Sequence, residues 1–237
     1  MIRAFTFDFW GTLFRDVDGD RRHALRAARL AAAAGVSEAE ASRVLEDAMA
    51  VFARHHIERQ KTLDSAHAVR MAGEALGVEF DPETAAGLAD YFSRVILDHP
   101  PAPIDGALDA VRAAAERLPA GLISDTGISP GASLAVLLER HGFTPHLRCL
   151  TFSDEVGVSK PRPEMFHRTA AALGVRAGEL FHLGDLEPTD IAGVRALGGT
   201  AGLFAGVNRR HLESTAAEHV FTDWREFTRR IDEFCAG

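Results

Sequence analysis

Arg3-Ala4-Phe5-Thr6-Phe7-Asp8-Phe9-Trp10-Gly11-Thr12-Leu13-Phe14 is the stretch that decides the fold. The run from Ala4 to Phe7 is mostly apolar and rich in aromatics. It carries no helical stripe and stops at Asp8, so it reads as a buried strand of a parallel sheet. Asp8 then stands at the carboxyl end of that strand, outside which open α/β sheets bind their ligands. Gly11 allows the tight turn that lets backbone amides approach an anion there. Taken alone, the aspartate reads equally well as a helix N-cap.

Beyond Phe14 the strand character disappears. Residues from about Asp20 to Ala34 follow helical spacing and are closed by Gly35. Ser37-Glu38-Ala39-Glu40 is a capping box that opens a second helix, running to around Arg59. Asp64 caps a third that ends at Gly77. Asp81-Pro82 opens a fourth, which stops before His99-Pro100-Pro101-Ala102-Pro103. Four consecutive helices with no strand between them cannot cover a parallel sheet in the βαβ manner. They predict a helical domain, residues 16–102, inserted into an α/β core made of residues 1–15 and 103–237. The hinges fall near Phe14 to Asp20 and near His99 to Pro103; one larger domain is the other arrangement such helices allow.

From Asp105 onward helix and strand alternate. Helices are expected at Ala107 to Arg117, Pro130 to Arg140, Pro163 to Ala172 and Thr189 to Leu197. Strands are expected at Ala120 to Ile123, Arg148 to Phe152, Leu180 to Leu183 and Thr200 to Phe204. Such alternation predicts right-handed βαβ units and a doubly wound parallel sheet.

Three later stretches fall at strand ends, as Asp8 does: Leu122-Ile123-Ser124-Asp125-Thr126-Gly127, Lys160-Pro161, and Gly184-Asp185 with Asp190 five residues on. Singly, each has a plain reading as a turn, a solvated loop or a helix start. In this order, with Asp8-x-Trp10-Gly11-Thr12-Leu13 before them, they resemble the haloacid dehalogenase-like (HAD) hydrolase superfamily. The stretch from Phe152 to Pro161 is similar to its phosphatase-type members.

The resemblance implies a Rossmann-like HAD core with an inserted four-helix cap. It also implies Mg²⁺-dependent hydrolysis of a small phosphorylated metabolite through an aspartyl phosphate. Asp8 would be the nucleophile, a recognised role for carboxylates. Ser124 would hydrogen-bond the phosphoryl oxygens, and Lys160 would neutralise their charge while orienting Asp8. Gly11, Thr12 and Asp125 would complete the phosphate-binding set. Mg²⁺ would be held by Asp8, Asp185 and the Trp10 backbone carbonyl, hard oxygen ligands that suit it. Asp190 would act from behind these, ordering a metal-bound water or Lys160.

Trp10 is the departure. Phosphatases of the superfamily usually carry a second aspartate at this position, as general acid and base. An indole N–H has no useful pKa and only donates. General acid–base catalysis is worth about two to four decades in rate, so aryl and acyl phosphates, with good leaving groups, should suffer least. Dehalogenases of the superfamily carry a tyrosine there, which raises the alternative of Asp8 attacking carbon in a 2-haloacid. Their fourth motif is built from neutral residues, whereas Asp185 and Asp190 are both retained here, and two acids beside Asp8 repel unless a cation lies among them. A catalytically weak phospho-ligand-binding protein is a third reading.

The remaining features set bounds. The chain has 237 residues, 46% of them hydrophobic, enough for one core plus a small second domain. A formal net charge of -8 argues against nucleic acid or an anionic membrane as partner. Two cysteines, Cys149 and Cys235, are too few for a disulfide framework, so a cytoplasmic setting is expected. No run reaches the length of a membrane span, and a monomer or homodimer is expected. Arg54-His55-His56 with Glu58, Arg59 and Lys61 is the densest ionic patch of the inserted helices, and a solvated helix end accounts for it. His182 is expected in the core or behind the site, and Cys149 as a small apolar residue.

Overall fold

The computed structural model describes residues 1–235. Six strands form one parallel sheet: β1 (Ala4–Phe7), β4 (Ala120–Ser124), β5 (Cys149–Phe152), β6 (Leu180–Gly184), β7 (Thr200–Phe204) and β8 (His219–Phe221), in the spatial order β5-β4-β1-β6-β7-β8. Two further short strands, β2 (Phe14–Arg15) and β3 (Ala102–Pro103), pair antiparallel outside this sheet. All residues of β1, β4 and β6 are buried, as expected for strands covered on both faces.

The alternation along β1 divides the core in two. Phe5 and Phe7 join an aromatic cluster with Trp224 and Phe227 under α5 (Ala107–Arg117) and α10 (Trp224–Cys235). Ala4 belongs to the opposite cluster, with Phe166 of α8 (Pro163–Leu173) and Val194 of α9 (Ala192–Ala196). β1 lies between β4 and β6, and the chain builds outward from it in both directions. That is a topological switch point, where the carboxyl ends of the strands leave a crevice.

The helices before β3 are α1 (Gly19–Ala34), α2 (Glu38–Arg54), α3 (Ser65–Leu76) and α4 (Pro82–Arg94). They pack around a cluster of their own that includes Leu30, Leu45, Phe52, Val69, Leu88 and Phe92. The starts of α2, α3 and α4 are fixed by the caps read from the sequence. Ser37 accepts from the Glu40 amide, Asp64 from that of His67, and Asp81 from those of Glu83 and Thr84. α2 continues through Arg59 as a widened π turn, closed by Gln60 at φ 51°. The β2–β3 pair, Phe14 opposite Pro103 and Arg15 opposite Ala102, places the two ends of this segment side by side.

Among the elements that were not expected are the edge strand β8 and the helix α10, whose Trp224, Phe227, Ile231 and Phe234 are buried. Between Thr189 and Leu197, where one helix was expected, a π turn over Glu187–Ile191 precedes the short α9. The remaining helices of the core are α6 (Gly131–Arg140) and α7 (Ser153–Val156). No helix among the described residues is long and apolar enough to cross a membrane.

Candidate active site

Asp8 leaves β1 with its amide donating to the Leu183 carbonyl at 2.8 Å, which fixes it against the end of β6. The turn that follows holds Gly11 at φ 68°, a conformation in which a side chain is strained. A Cβ at Gly11 would also stand 2.5 Å from Asp185 Oδ2. The turn thus has two reasons to be glycine, and the second is the carboxylate arriving from β6.

Lys160 organises the centre. It is 1% exposed, and its Nζ donates to Asp8 Oδ1 at 2.6 Å, to Asp190 Oδ1 at 2.6 Å and to the Ile123 carbonyl at 3.0 Å. Its backbone amide donates to Asp125 Oδ1 at 2.9 Å, so the second motif pins the loop that carries the lysine. Asp190 collects the most donors. Besides Lys160 it receives His182 Nε2 at 3.0 Å and, at its other oxygen, the Leu186 amide at 3.1 Å and the Thr189 hydroxyl at 3.3 Å. His182 in turn meets the Thr6 hydroxyl through Nδ1 at 3.0 Å, and Thr6 and His182 are register partners across β1 and β6.

The charges follow from these contacts. Burial opposes ionisation of Asp190, but Lys160 and the His182 bond outweigh it and hold the carboxyl far below the ordinary range. Asp8, buried with fewer donors, goes the other way: desolvation raises it well above the ordinary value, Lys160 only partly offsets this, and Asp190 and Asp185 add to the rise. Lys160 is held cationic against its burial by Asp190, Asp8 and Asp125. Burial keeps His182 neutral, so Nε2–H donates to Asp190 and Nδ1 accepts from Thr6. Asp185 is pushed to about 6 by burial and then by Asp190, with an opposing hydrogen bond from Asn208 Nδ2 at 2.9 Å.

A cleft of about 300 Å³ is lined by Asp8, Trp10, Gly11, Asp125, Lys160, Asp185 and Asp190. These bring four carboxylates against one ammonium, and three of the acids, Asp8, Asp125 and Asp185, are raised in pKa by burial first and by neighbouring carboxylates next. Among the described residues no three His, Cys, Asp or Glu close around a common point. The donor set is instead two carboxylates, Asp8 and Asp185, short of positive charge. That fits a hard cation such as Mg²⁺, which binds through one or two carboxylates and keeps several waters.

Two expected residues stand behind the cleft wall. Ser124 is fully buried and its hydroxyl donates to the Asp125 carbonyl at 3.1 Å. Thr12 is fully buried, with its hydroxyl unpartnered and its carbonyl accepting from Trp224 Nε1 at 3.0 Å. Neither lines the cleft, whereas Asp8, Trp10, Gly11, Asp125, Lys160, Asp185 and Asp190 all do.

The ionic patch at the end of α2 requires a correction. Arg54, Glu58, Arg59 and Lys61 are exposed, as a solvated helix end requires. His56, however, lines the cleft together with Ala53 and Ile57, because the π turn folds this segment over the strand ends. The turn is tied to the core there: the Ser159 amide donates to the Gln60 carbonyl at 3.1 Å and the Thr62 hydroxyl to Ser153 Oγ at 2.6 Å. Asn208 was also missed. It lies in the loop after β7, at the same end of the sheet as Asp8 and Asp185, and strand-end position was its available signal. Cys149 is half-buried and burial pushes its thiol up to about 11, so it carries no thiolate near neutral pH.

Comparison with known proteins agrees with this fold. A search of the curated proteins found no significant match. Among solved structures the chain is similar to a HAD phosphatase from Thermococcus onnurineus, at 16% identity and a TM-score of 0.69 over 97% of this chain and 98% of the other. It is similar to a 2-haloacid dehalogenase from Pseudomonas syringae pv. Tomato DC3000, at 19% identity and a TM-score of 0.72 over 100% and 99%. YfnB from Bacillus subtilis, solved bound to magnesium, matches at 16% identity and a TM-score of 0.67 over 98% and 99%. A family model described as haloacid dehalogenase-like hydrolase matches residues 2–198, which is most of the chain, and the protein therefore belongs to that family of hydrolases.

Proposed function

We propose that this hydrolase is a Mg²⁺-dependent phosphatase that acts on a small phosphorylated metabolite through an aspartyl phosphate on Asp8. One observation carries the reading: Asp8 and Asp185 line one cleft with a surplus of negative charge that a single buried lysine does not neutralise. When bound, Mg²⁺ would be held by Asp8, Asp185 and the Trp10 carbonyl and would supply charge neutralisation for an incoming phosphoryl group.

The residues of the chain account for the rest. Lys160 fixes one oxygen of Asp8, leaving the other to attack phosphorus in line as the bond to the leaving oxygen breaks. Asp190, held ionised, keeps Lys160 charged and in place. The segment from Ala53 to Ile57 narrows access to the cleft, and helices α1 to α4 serve as the cap that selects the substrate. Trp10 donates no proton to the departing oxygen, so turnover is fastest where the leaving group is already a stable anion.

The second reading, a 2-haloacid dehalogenase in which Asp8 attacks carbon, is favoured by the aromatic Trp10 and by similarity to a dehalogenase fold. Phosphate release from p-nitrophenyl phosphate and acetyl phosphate, with Mg²⁺ and with EDTA, tests the choice alongside chloride release from 2-chloropropionate. Mg²⁺-dependent phosphate release is the expected result; metal-independent chloride release would replace the proposal with the second reading.

A further inference from the structure

The cleft does not end at Asp8. A second cavity of about 380 Å³ lies between α1, α2 and the turn after β4, and the two share Trp10, Ala53 and His56 as a common wall. The first cavity is rich in carboxylates; the second carries two guanidinium groups, those of Arg22 and Arg26, which are 5% and 8% exposed.

Their partners differ. Arg22 is paired with Asp16 at 2.6 Å and donates to the His99 carbonyl at 2.9 Å. Arg26 meets no carboxylate among the described residues. Its Nε and Nη2 both donate to the Phe92 carbonyl, at 3.1 and 2.9 Å, and Nη2 reaches the Ser129 hydroxyl at 3.5 Å. Burial, and next the like charge of Arg22, lower Arg26 to about 10. A guanidinium taken out of water and given carbonyl partners but no counter-ion is incompletely compensated, and its planar fork is shaped for a carboxylate or phosphate. A separate observation lies on the shared wall. His56 lines both cavities, and its Nε2 is buried without a hydrogen-bond partner, as are His55 Nδ1 and Thr12 Oγ1.

We propose that the second cavity is the anion-binding end of the substrate site: the substrate carries an oxyanionic group, carboxylate or phosphate, that Arg26 binds at the end remote from the group reacting at Asp8. The part of the substrate between these ends runs past Trp10 and His56, which line both cavities. Which end reacts rests on the proposed role of Asp8; anion binding at Arg26 does not.

The test compares three homologous series over a range of chain lengths: alkyl phosphates, ω-carboxyalkyl phosphates and alkane bisphosphates. A charge-assisted hydrogen bond to Arg26 should give one charged series a kcat/KM roughly ten- to a hundredfold above the alkyl series, and the series that wins identifies the anion. Arg26→Gln should bring that ratio close to one, with Arg26→Lys between. Calorimetric titration of the wild-type protein with glutarate and adipate reads binding without turnover. Equal kcat/KM across the series, with phosphate released, would overturn the subsite and leave Asp8 its role. If no series releases phosphate, yet Arg26→Gln abolishes the heat of dicarboxylate binding, the subsite stands and the phosphatase reading falls. Absence of both preference and binding heat in the wild type overturns the subsite whether or not the variant folds.

Discussion

Replacing Lys160 by methionine keeps the length and apolar stem of the side chain and removes its charge. The ammonium contacts Asp8 and Asp190 at 2.6 Å each, and all three residues are almost completely buried. Removing one partner of a buried ion pair leaves an uncompensated charge and costs about 3–5 kcal/mol. In a chain of this size that corresponds to a fall in Tm of roughly 6 to 20 °C. The sign of the pH dependence follows from the carboxylates. With Lys160 present, Asp190 is held below its ordinary value, so its contribution is in full above that value and is lost as pH falls from there through the lower folded-state value. Without Lys160, Asp8 and Asp190 both rise, and their penalty is relieved as they protonate on acidification. Urea unfolding of wild type and Lys160→Met at pH 7.5 and 5.0 should therefore show a smaller difference at the lower pH. Adding Asp190→Asn to the variant should recover part of the loss, because the two sites share one contact. A difference under about 1 kcal/mol, or the same difference at both pH values, would refute the view that one lysine compensates two buried acids.

Other outcomes follow from the same geometry. Asp8→Asn should abolish phosphate release while leaving a folded protein, checked by circular dichroism; retained turnover would remove Asp8 as nucleophile. Gly11→Ala forces a side chain into the left-handed region and against Asp185, at a backbone cost of about 1–2 kcal/mol. It should also raise the Mg²⁺ concentration required for half-maximal activity, read by metal titration. The metal-free protein gains stability from neutral Asp185 below its ordinary value of 3.8 and loses it as pH rises through about 6. The increase in Tm on adding Mg²⁺ should accordingly be larger at pH 7.5 than at pH 5. Trp10→Asp should raise the rate on alkyl phosphates by up to about two to four decades while changing aryl phosphates less, and equal effects on both would show that leaving-group protonation is not what the wild type lacks.

Much of this was written locally in the chain. Asp8 could be placed because a buried strand must end where its apolar run ends, and the helix starts were legible because Ser37, Asp64 and Asp81 cap through their own side chains. Helix Ala107–Arg117 and strand Thr200–Phe204 have the bounds that the pattern implies. What escaped depends on tertiary register. His182 was expected in the core or behind the site and lies there, but its bond to Asp190 depends on the pairing of β1 and β6 that sets Thr6 beside it. His56 faces the cleft through a π turn that no spacing announces. Ser124 lies at a strand end, but its hydroxyl is taken by the neighbouring carbonyl. The helix after Asp223 was overlooked although Trp224, Phe227, Ile231 and Phe234 recur at helical intervals.

The short antiparallel pair of Phe14–Arg15 with Ala102–Pro103 has a consequence for how this chain can be rebuilt. Because the two strands already lie in hydrogen-bonded register, the distance between them equals what a tight reverse turn spans. Closure entropy grows only slowly with loop length, so the core bears nearly the same topological constraint whether 86 residues or a handful lie between Arg15 and Ala102. If the helices select the substrate as proposed, that junction is the splice point at which exchanging them should change selectivity without re-registering a strand of the sheet that carries Asp8.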